Sequence, residues 1–355
     1  MALGVGCQAL LTTSQTQCSS DADCVARGGA GFVCRESVCR LAAPAVDGSA
    51  STDSGADAKG EPWACLANPP GTPAEDRSVS LVYRNRYLVY SADDCLHNRP
   101  VAGMEMKLCS QRDVNCASPA EVKVTDCDGY VNFVNVYRGF QGYILGVPPK
   151  PTGGSAAWPA ATEQCFKDLA AKEKANGTSG KRCAIQASDA GGVVVPLPDD
   201  LLPTIQMIVP PPAVGDDPAA VFVEAEVPHL LSAQTLKDLL FVIGRSYEPT
   251  AGHFIGQVTD CNGDAAPGAA ISVVGGTGPK GTLYYTDSQG LPNPNQGETA
   301  LRGEAGYVNL DPGPTGIATI SVTATRRATN ERIGVYAAQI RSGYVTILGM
   351  PPLKN

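Results

Sequence analysis

Two distant stretches of the chain carry the same turn punctuation in the same order, and this order constrains the fold more than any other feature. The first runs Asp94-Cys95…Pro100-Val-Ala-Gly103, then Thr125-Asp126-Cys-Asp-Gly129-Tyr-Val-Asn132, then Gly142-Tyr-Ile-Leu145. The second runs Asp260-Cys261…Pro267-Gly268, then Thr286-Asp287-Ser-Gln-Gly290, Gly306-Tyr-Val-Asn309 and Gly316-Ile-Ala. Asp and Asn side chains satisfy turn amides and Gly supplies positive φ, so each element marks a chain reversal. The segments between them alternate, as in Ile317, Thr319, Ser321 and Thr323 against Ala318, Ile320, Val322 and Ala324. Ser80–Tyr90 is rich in β-branched and aromatic residues and reads as a strand. Short strands with regular turn signals specify an all-β chain of two tandem β-sandwich modules. The 39 Gly and 28 Pro beside only 6% aromatics agree with many turns and no helix bundle.

The pattern Val258-x-Asp260-x-x-Gly263…Pro267-Gly268-Ala269-x-Ile271…Thr286-Asp287-x-x-Gly290 resembles the carboxypeptidase regulatory-like, transthyretin-like β-sandwich family. The resemblance covers more than half of the chain. It implies prealbumin-like or Ig-like sandwiches that accompany zinc peptidases without catalysing anything themselves. The whole chain also resembles myxobacterial surface lipoproteins, in which such modules follow a short Cys cluster and a Cys follows the first Asp of the module, as Cys95 and Cys261 do here.

Around the modules the chain divides by composition. Residues 1–17 form a candidate anchor region, and residues 18–40 hold Cys18, Cys24, Cys34 and Cys39 in a segment too small for a core without disulfides. Residues 41–61 are Ala/Ser/Gly/Asp-rich and read as a flexible linker. The first module spans 62–212 with a helical insertion near 160–185, where Cys165, Phe166, Leu169 and Ala170 have helical spacing and a Cys165–Cys183 staple is expected. Gln206-Met-Ile-Val ends a strand of that module. A connector, 213–250, contains a helix from Ser232 as N-cap to Ile243, stopped by Gly244, whose stripe of Leu236, Leu239, Leu240 and Ile243 packs at the module junction. The second module spans 251–355.

Thirteen cysteines occur: Cys7, Cys18, Cys24, Cys34, Cys39, Cys65, Cys95, Cys109, Cys116, Cys127, Cys165, Cys183 and Cys261, none spaced Cys-x-x-Cys. Zinc-ribbon and thioredoxin-like readings lose their support, and His97, His229 and His253 lie far apart. Cysteines without metal-ligand spacing read as disulfides, which require an oxidising compartment. The odd count leaves one thiol over. Leu3-Gly4-Val5-Gly6-Cys7 looks like the end of a bacterial lipoprotein signal, although Gly4 stands where an aliphatic residue is usual and the residues before Cys7 are too few for a signal core. Either a longer signal precedes it or Cys7 is an ordinary cysteine; removing Cys7 from thirteen leaves twelve, which pair evenly. No other stretch approaches the ~20 apolar residues that span a bilayer.

Candidate chemistry fails on context. Gly276-Thr-Gly278-Pro-Lys-Gly281 matches a dinucleotide fingerprint, but a strand-like Thr282-Leu-Tyr-Tyr follows where a helix is required, so it reads as a hairpin loop. Asp260, Asn262 and Asp264 have calcium-loop spacing, yet Ala265 and Ile271 replace the Gly and Glu such loops need, and Asp126 with Asp128 is weaker still. No His-x-His for an intradiol-type iron, no terminal Tyr-Arg-Gly-Ser and no Gly-x-Ser-x-Gly elbow occurs. The net charge of −8 argues against nucleic acid. The expectation is therefore a non-catalytic structural or adhesive lipoprotein, without cofactor or metal, at the bacterial outer membrane and cell surface or secreted. Its membrane contact is through the lipid anchor only, and its partner is a surface protein or polysaccharide. The alternative is a carbohydrate-binding protein that uses Tyr83-Arg-Asn-Arg-Tyr87 and Tyr137-Arg138 as a sugar face.

Overall fold

A computed structural model describes residues 20, 22, 32–35, 38–41, 61–71, 73–91, 98–151, 157–175, 197–208, 221–223, 228–276, 281–288 and 290–354. Over these residues the chain is all-β with two short α-helices. β1 (Phe32–Arg35) and β2 (Val38–Leu41) form a hairpin in which Cys34 lies opposite Cys39. The body follows as β3 (Asp76–Arg86), β4 (Leu88–Tyr90), β5 (Glu105–Ser110), β6 (Glu121–Val124), β7 (Tyr130–Arg138) and β8 (Gly142–Val147). Next come α1 (Ala160–Ala175), β9 (Thr204–Ile208), β10 (Val221–Val223), β11 (His229–Leu231) and α2 (Ala233–Val242). The last part comprises β12 (Gly252–Val258), β13 (Ala269–Val274), β14 (Thr282–Thr286), β15 (Pro292–Asn293), β16 (Glu304–Leu310), β17 (Ile317–Arg326), β18 (Glu331–Arg341) and β19 (Val345–Met350).

The expected repeat exists in the hydrogen bonds. Buried Thr125 donates its hydroxyl to Val101 O (2.5 Å) and accepts from Met104 N (2.9 Å), while its backbone exchanges bonds with Gly103 N and Met104 O. Buried Thr299 does the same with Ala266 O (2.6 Å), Ala269 N (2.9 Å), Gly268 N and Ala269 O. Gly103 and Gly268, at φ 77° and 78°, turn the chain into this clamp. Tyr87 N bonds Gly129 O in one copy and Val258 N bonds Gly303 O in the other. β3, β5, β7, β8, β9 and β10 thus correspond to β12, β13, β16, β17, β18 and β19.

This match corrects the sequence alignment in two places. The partner of Thr125 is Thr299 and not Thr286. Gly129 matches Gly303, so the two Gly-Tyr-Val-Asn runs are three residues out of register. Gly129 turns the chain at φ 80°, whereas Gly306 lies inside β16 under the ring of Tyr284, where a Cβ would sit 2.4 Å from the phenol oxygen. The Asp-x-x-Gly turns themselves are real. The Oδ1 atoms of Asp126 and Asp260 accept from the amides two and four residues on, and Asp287 Oδ1 accepts from Leu291 N, with Gly129, Gly263 and Gly290 all at positive φ.

Other expectations shift locally. The strand over 80–90 breaks at Tyr87, because its amide and carbonyl bond Gly129 O and Val101 N on separate segments. α1 occurs as expected, but Cys165 bonds Cys127, so its partner is not Cys183, which lies outside the described residues. α2 starts at Ser232, whose Oγ accepts from Thr235 N, and it ends before Gly244 at φ 69°. The glycine-rich loop after Val274 is not a hairpin loop: it joins β13 to β14, which belong to different sheets, and a strand follows it.

β3 pairs with β10 on one side and β7 on the other in one sheet, and β13, β17 and β18 form another. Between them runs a nine-stranded sheet in the order β15-β14-β16-β12-β19-β9-β8-β5-β6, which draws strands from both repeats. The repeats meet where β19 pairs in parallel with β9, from Val345 opposite Thr204 to Leu348 opposite Met207. Successive side chains point to opposite faces, and the two faces are covered by different layers. Tyr143, Leu145, Ile205, Met207, Phe254 and Leu348 pack with Ile320, Val322, Ala338 and Ile340 of the β17–β18 sheet. Met104, Met106, Leu108 and Ile144 pack with Tyr83, Val131, Phe133 and Val136 on the other face. Farther along that second face, Leu236 and Leu240 of α2 and Ile243 at its C-cap cover Tyr284, Val308 and Val345.

The clamp predicts paired mutational costs. Thr125→Val and Thr299→Val each strand a buried carbonyl and a buried amide, so each is expected to cost about 2–3 kcal/mol. Urea midpoints of the two variants check this; a large loss at one site and none at the other would refute their equivalence.

Candidate functional site

Among the described residues, a buried polar arrangement lies at the joint between the repeats. Arg341, on the last residue of β18, is only 8% exposed, and all its acceptors are neutral. Its Nε donates to Gln339 Oε1 (3.1 Å), and its Nη2 donates to Val114 O (2.6 Å) and Tyr143 Oη (3.0 Å). The guanidinium also lies 5.7 Å from the Tyr143 ring centroid and 5.9 Å from that of Tyr344. Gln339 adds a second bond to Val114 O at 2.8 Å.

Val114 is held by its own loop. Cys109 and Cys116 are disulfide-bonded across it, Asp113 Oδ1 and Oδ2 accept from Ala117 N and Ser118 N, and Tyr143 Oη donates to Asp113 O (2.6 Å). Those amide bonds hold the Asp113 carboxyl below the usual carboxylate range. A small cystine loop of the first repeat thus receives the cation of the second. A buried guanidinium left without these acceptors would carry an unmet desolvation cost. The cavity beside it, lined by Gln111, Val114, Tyr143, Met207, Thr319 and Gln339, measures about 20 Å³, room for a water molecule and nothing larger. The arrangement joins the two repeats.

The residues singled out from sequence are dispersed. Tyr83 and Tyr87 are fully buried, and Tyr87 Oη donates to Gln206 Oε1 (2.5 Å), so neither presents a sugar-binding plane. Tyr130 is flanked by the guanidiniums of Arg84 (4.4 Å) and Arg86 (5.1 Å), and Tyr137 by that of Arg77 (5.3 Å). Asp260 and Asp126 spend their carboxylates on backbone amides. His229 bonds Asn98 at 2.9 Å, His253 is buried elsewhere, and His97 lies outside the described residues. Among the described residues no three His, Cys, Asp or Glu side chains gather as metal ligands, and no helix is long and apolar enough to cross a membrane.

Of the cysteines, Cys65 bonds Cys261, Cys109 bonds Cys116 and Cys127 bonds Cys165. Cys7, Cys18, Cys24, Cys95 and Cys183 lie outside the described residues. Sequence reasoning missed Arg341, Val114 and Tyr143. The one available signal was an Arg set among the alternating apolar residues of a strand, which does not say where it points.

The chain matches no protein-family model, no curated protein and no solved structure.

Two predictions follow from these groups. Arg341→Met should cost about 2–4 kcal/mol and Cys109→Ala/Cys116→Ala about 2 kcal/mol. Because both act through the Val114 carbonyl, the combined variant should fall short of the sum by at least about 0.5 kcal/mol; strict additivity in denaturant unfolding would contradict the clasp. His253 is fully buried, stacked on Tyr247 (5.7 Å, 16°), and its Nε2 has no hydrogen-bond partner. Burial pushes its pKa down from 6.5 to about 4. A depressed histidine favours the neutral form in the folded state, so its contribution is intact above pH 6.5 and is lost as pH falls toward 4. The loss is on the order of 3 kcal/mol. Unfolding midpoints at pH 7 and pH 4 should fall less in His253→Gln than in the parent protein.

Proposed function

We propose that the chain is an exported, non-catalytic structural or adhesive protein built from two prealbumin-like, carboxypeptidase regulatory-like sandwiches. The observation that carries this reading is the disulfide bonding of Cys65, Cys109, Cys116, Cys127, Cys165 and Cys261, every cysteine whose side chain is described. Three such bonds in one body persist only in an oxidising compartment. Cys7, which follows a lipoprotein-signal-like run and is the odd cysteine of thirteen, is the candidate for a lipid anchor at the cell surface, with residues 41–61 as the tether. A structural role is supported by the buried polar groups of Thr125, Thr299, Gln206 and Arg341, which join separate strands and loops.

The test is intact mass before and after reduction, combined with biotinylation of living cells by a membrane-impermeant reagent. Twelve cysteines should be bridged, each bond adding two hydrogens on reduction, and surface label should be incorporated. Cys7→Ser should abolish lipid labelling and release the protein. Thirteen free thiols, or a protein shielded from the reagent in intact cells and labelled only after lysis, would overturn the proposal.

A further inference from the structure

The joint between the repeats is asymmetric. It pairs β9, the outer strand of one sheet in the first repeat, with β19, the outer strand of the other kind of sheet in the second. Under the repeat correspondence β9 matches β18 and β19 matches β10. The two ends of the molecule therefore carry the same complementary pair of edges. β10 is the end strand of its sheet among the described residues, and β18 that of the other. A heterologous contact of this kind does not close on itself and in principle repeats without limit.

The β18 edge is covered at one end. Residues Thr204–Met207, which make the joint, correspond to Gly334–Ala337. The segment after β19 meets the edge immediately before that stretch, where Leu353 N donates to Ile333 O (2.9 Å), and within it the Tyr336 side chain reaches the segment, its Oη donating to Pro351 O. Lys354 N bonds Pro70 O (2.8 Å) and Lys354 bridges Gly71. The 61–71 segment is fixed in turn by the Cys65–Cys261 bond and by Cys261 N to Pro62 O (2.9 Å). The next carbonyl along the edge, that of Gln339, accepts from Thr346 Oγ1 (2.6 Å).

We infer that residues 351–354, seated on the stapled 61–71 segment, are a cap that prevents head-to-tail pairing of β18 with β10 of a second copy of this chain. The partner is a second copy because the same pair of edges already forms the internal joint, with Val345–Ile347 in the place of Val221–Val223. The expected register sets Val335 of one copy opposite Phe222 of the next.

The test uses the full chain, a form ending at Met350, and Leu353→Pro, which removes the capping amide but keeps the tail. Masses are followed by sedimentation across concentration, with circular dichroism to confirm folding. The parent protein should stay monomeric, and both uncapped forms should build species larger than twice the monomer mass. Ser342 N bonds Gly316 O, so the even-numbered residues of β18 face β17 and the odd-numbered amides face outward. Adding Val335→Pro to Leu353→Pro therefore blocks the edge alone and should restore the monomer. Folded uncapped protein that stays monomeric, assembly that stops at a dimer, or assembly that Val335→Pro leaves unchanged would each overturn the inference. None of these outcomes bears on export, which the mass and labelling experiments decide separately.

Discussion

The parallel pairing of β9 with β19 is the constraint on which the rest of the structure depends. Each strand is an outer edge of its own repeat, and an exposed edge presents unpaired amides and carbonyls that invite aggregation. Pairing the two edges removes both hazards at once and turns two repeats into one continuous sheet. Parallel pairing cannot be made by a hairpin and needs a long connection; here the intervening chain includes α2 and most of the second repeat. The joint also decides which layers cover which face. Because β9 comes from one kind of sheet and β19 from the other, the layers pack on opposite faces, and α2 is needed to cover what β3 and β7 do not reach.

The buried polar groups follow from that geometry. A continuous sheet brings β8 of the first repeat beneath β18 of the second, so Tyr143 meets Arg341. Gln206 lies on β9 itself, and its Oε1 accepts from Asn85 Nδ2 (2.8 Å) and from Tyr87 on the opposite face. Buried hydrogen bonds of this sort contribute modestly when made and cost heavily when broken. They specify the register of the joint more than they add to its strength. An apolar interface would tolerate sliding; a guanidinium that needs the Val114 carbonyl does not.

Much of the local structure was legible in the sequence, because turn chemistry acts over a few residues. Asp126, Asp260 and Asp287 form the turns their spacing implies, and Ser232 caps the helix it precedes. The repeat was legible too, but its alignment was not. Gly-Tyr-Val-Asn occurs in both copies for different reasons, once with Gly129 turning the chain and once with Gly306 making room for Tyr284. The true anchors, Thr125 and Thr299, are single residues in unlike surroundings, and no local pattern distinguishes them from other threonines. Disulfide pairing was hidden for a similar reason: Cys127 and Cys165 meet only because α1 packs beside the turn that carries Cys127. The joint left no trace at all, since strand pairing across repeats is a property of two edges and neither edge is marked in its own sequence.

The Cys65–Cys261 bond ties the start of the body to the second repeat. It spans 196 residues of sequence and closes the largest loop of the described disulfides. In chain-entropy terms such a loop contributes about 5 kcal/mol at most, by restricting the unfolded chain. Its position matters as much as that figure. Trp63 and Leu66, just beyond the linker, pack in the core of the second repeat, and the bond joins them covalently to the turn after β12. The chain that enters at residue 61 is therefore joined covalently to the second repeat before it reaches β3. The first repeat lies inside the closed loop, held by its own clamp and by the joint. The β9–β19 ladder pairs that repeat directly with the second.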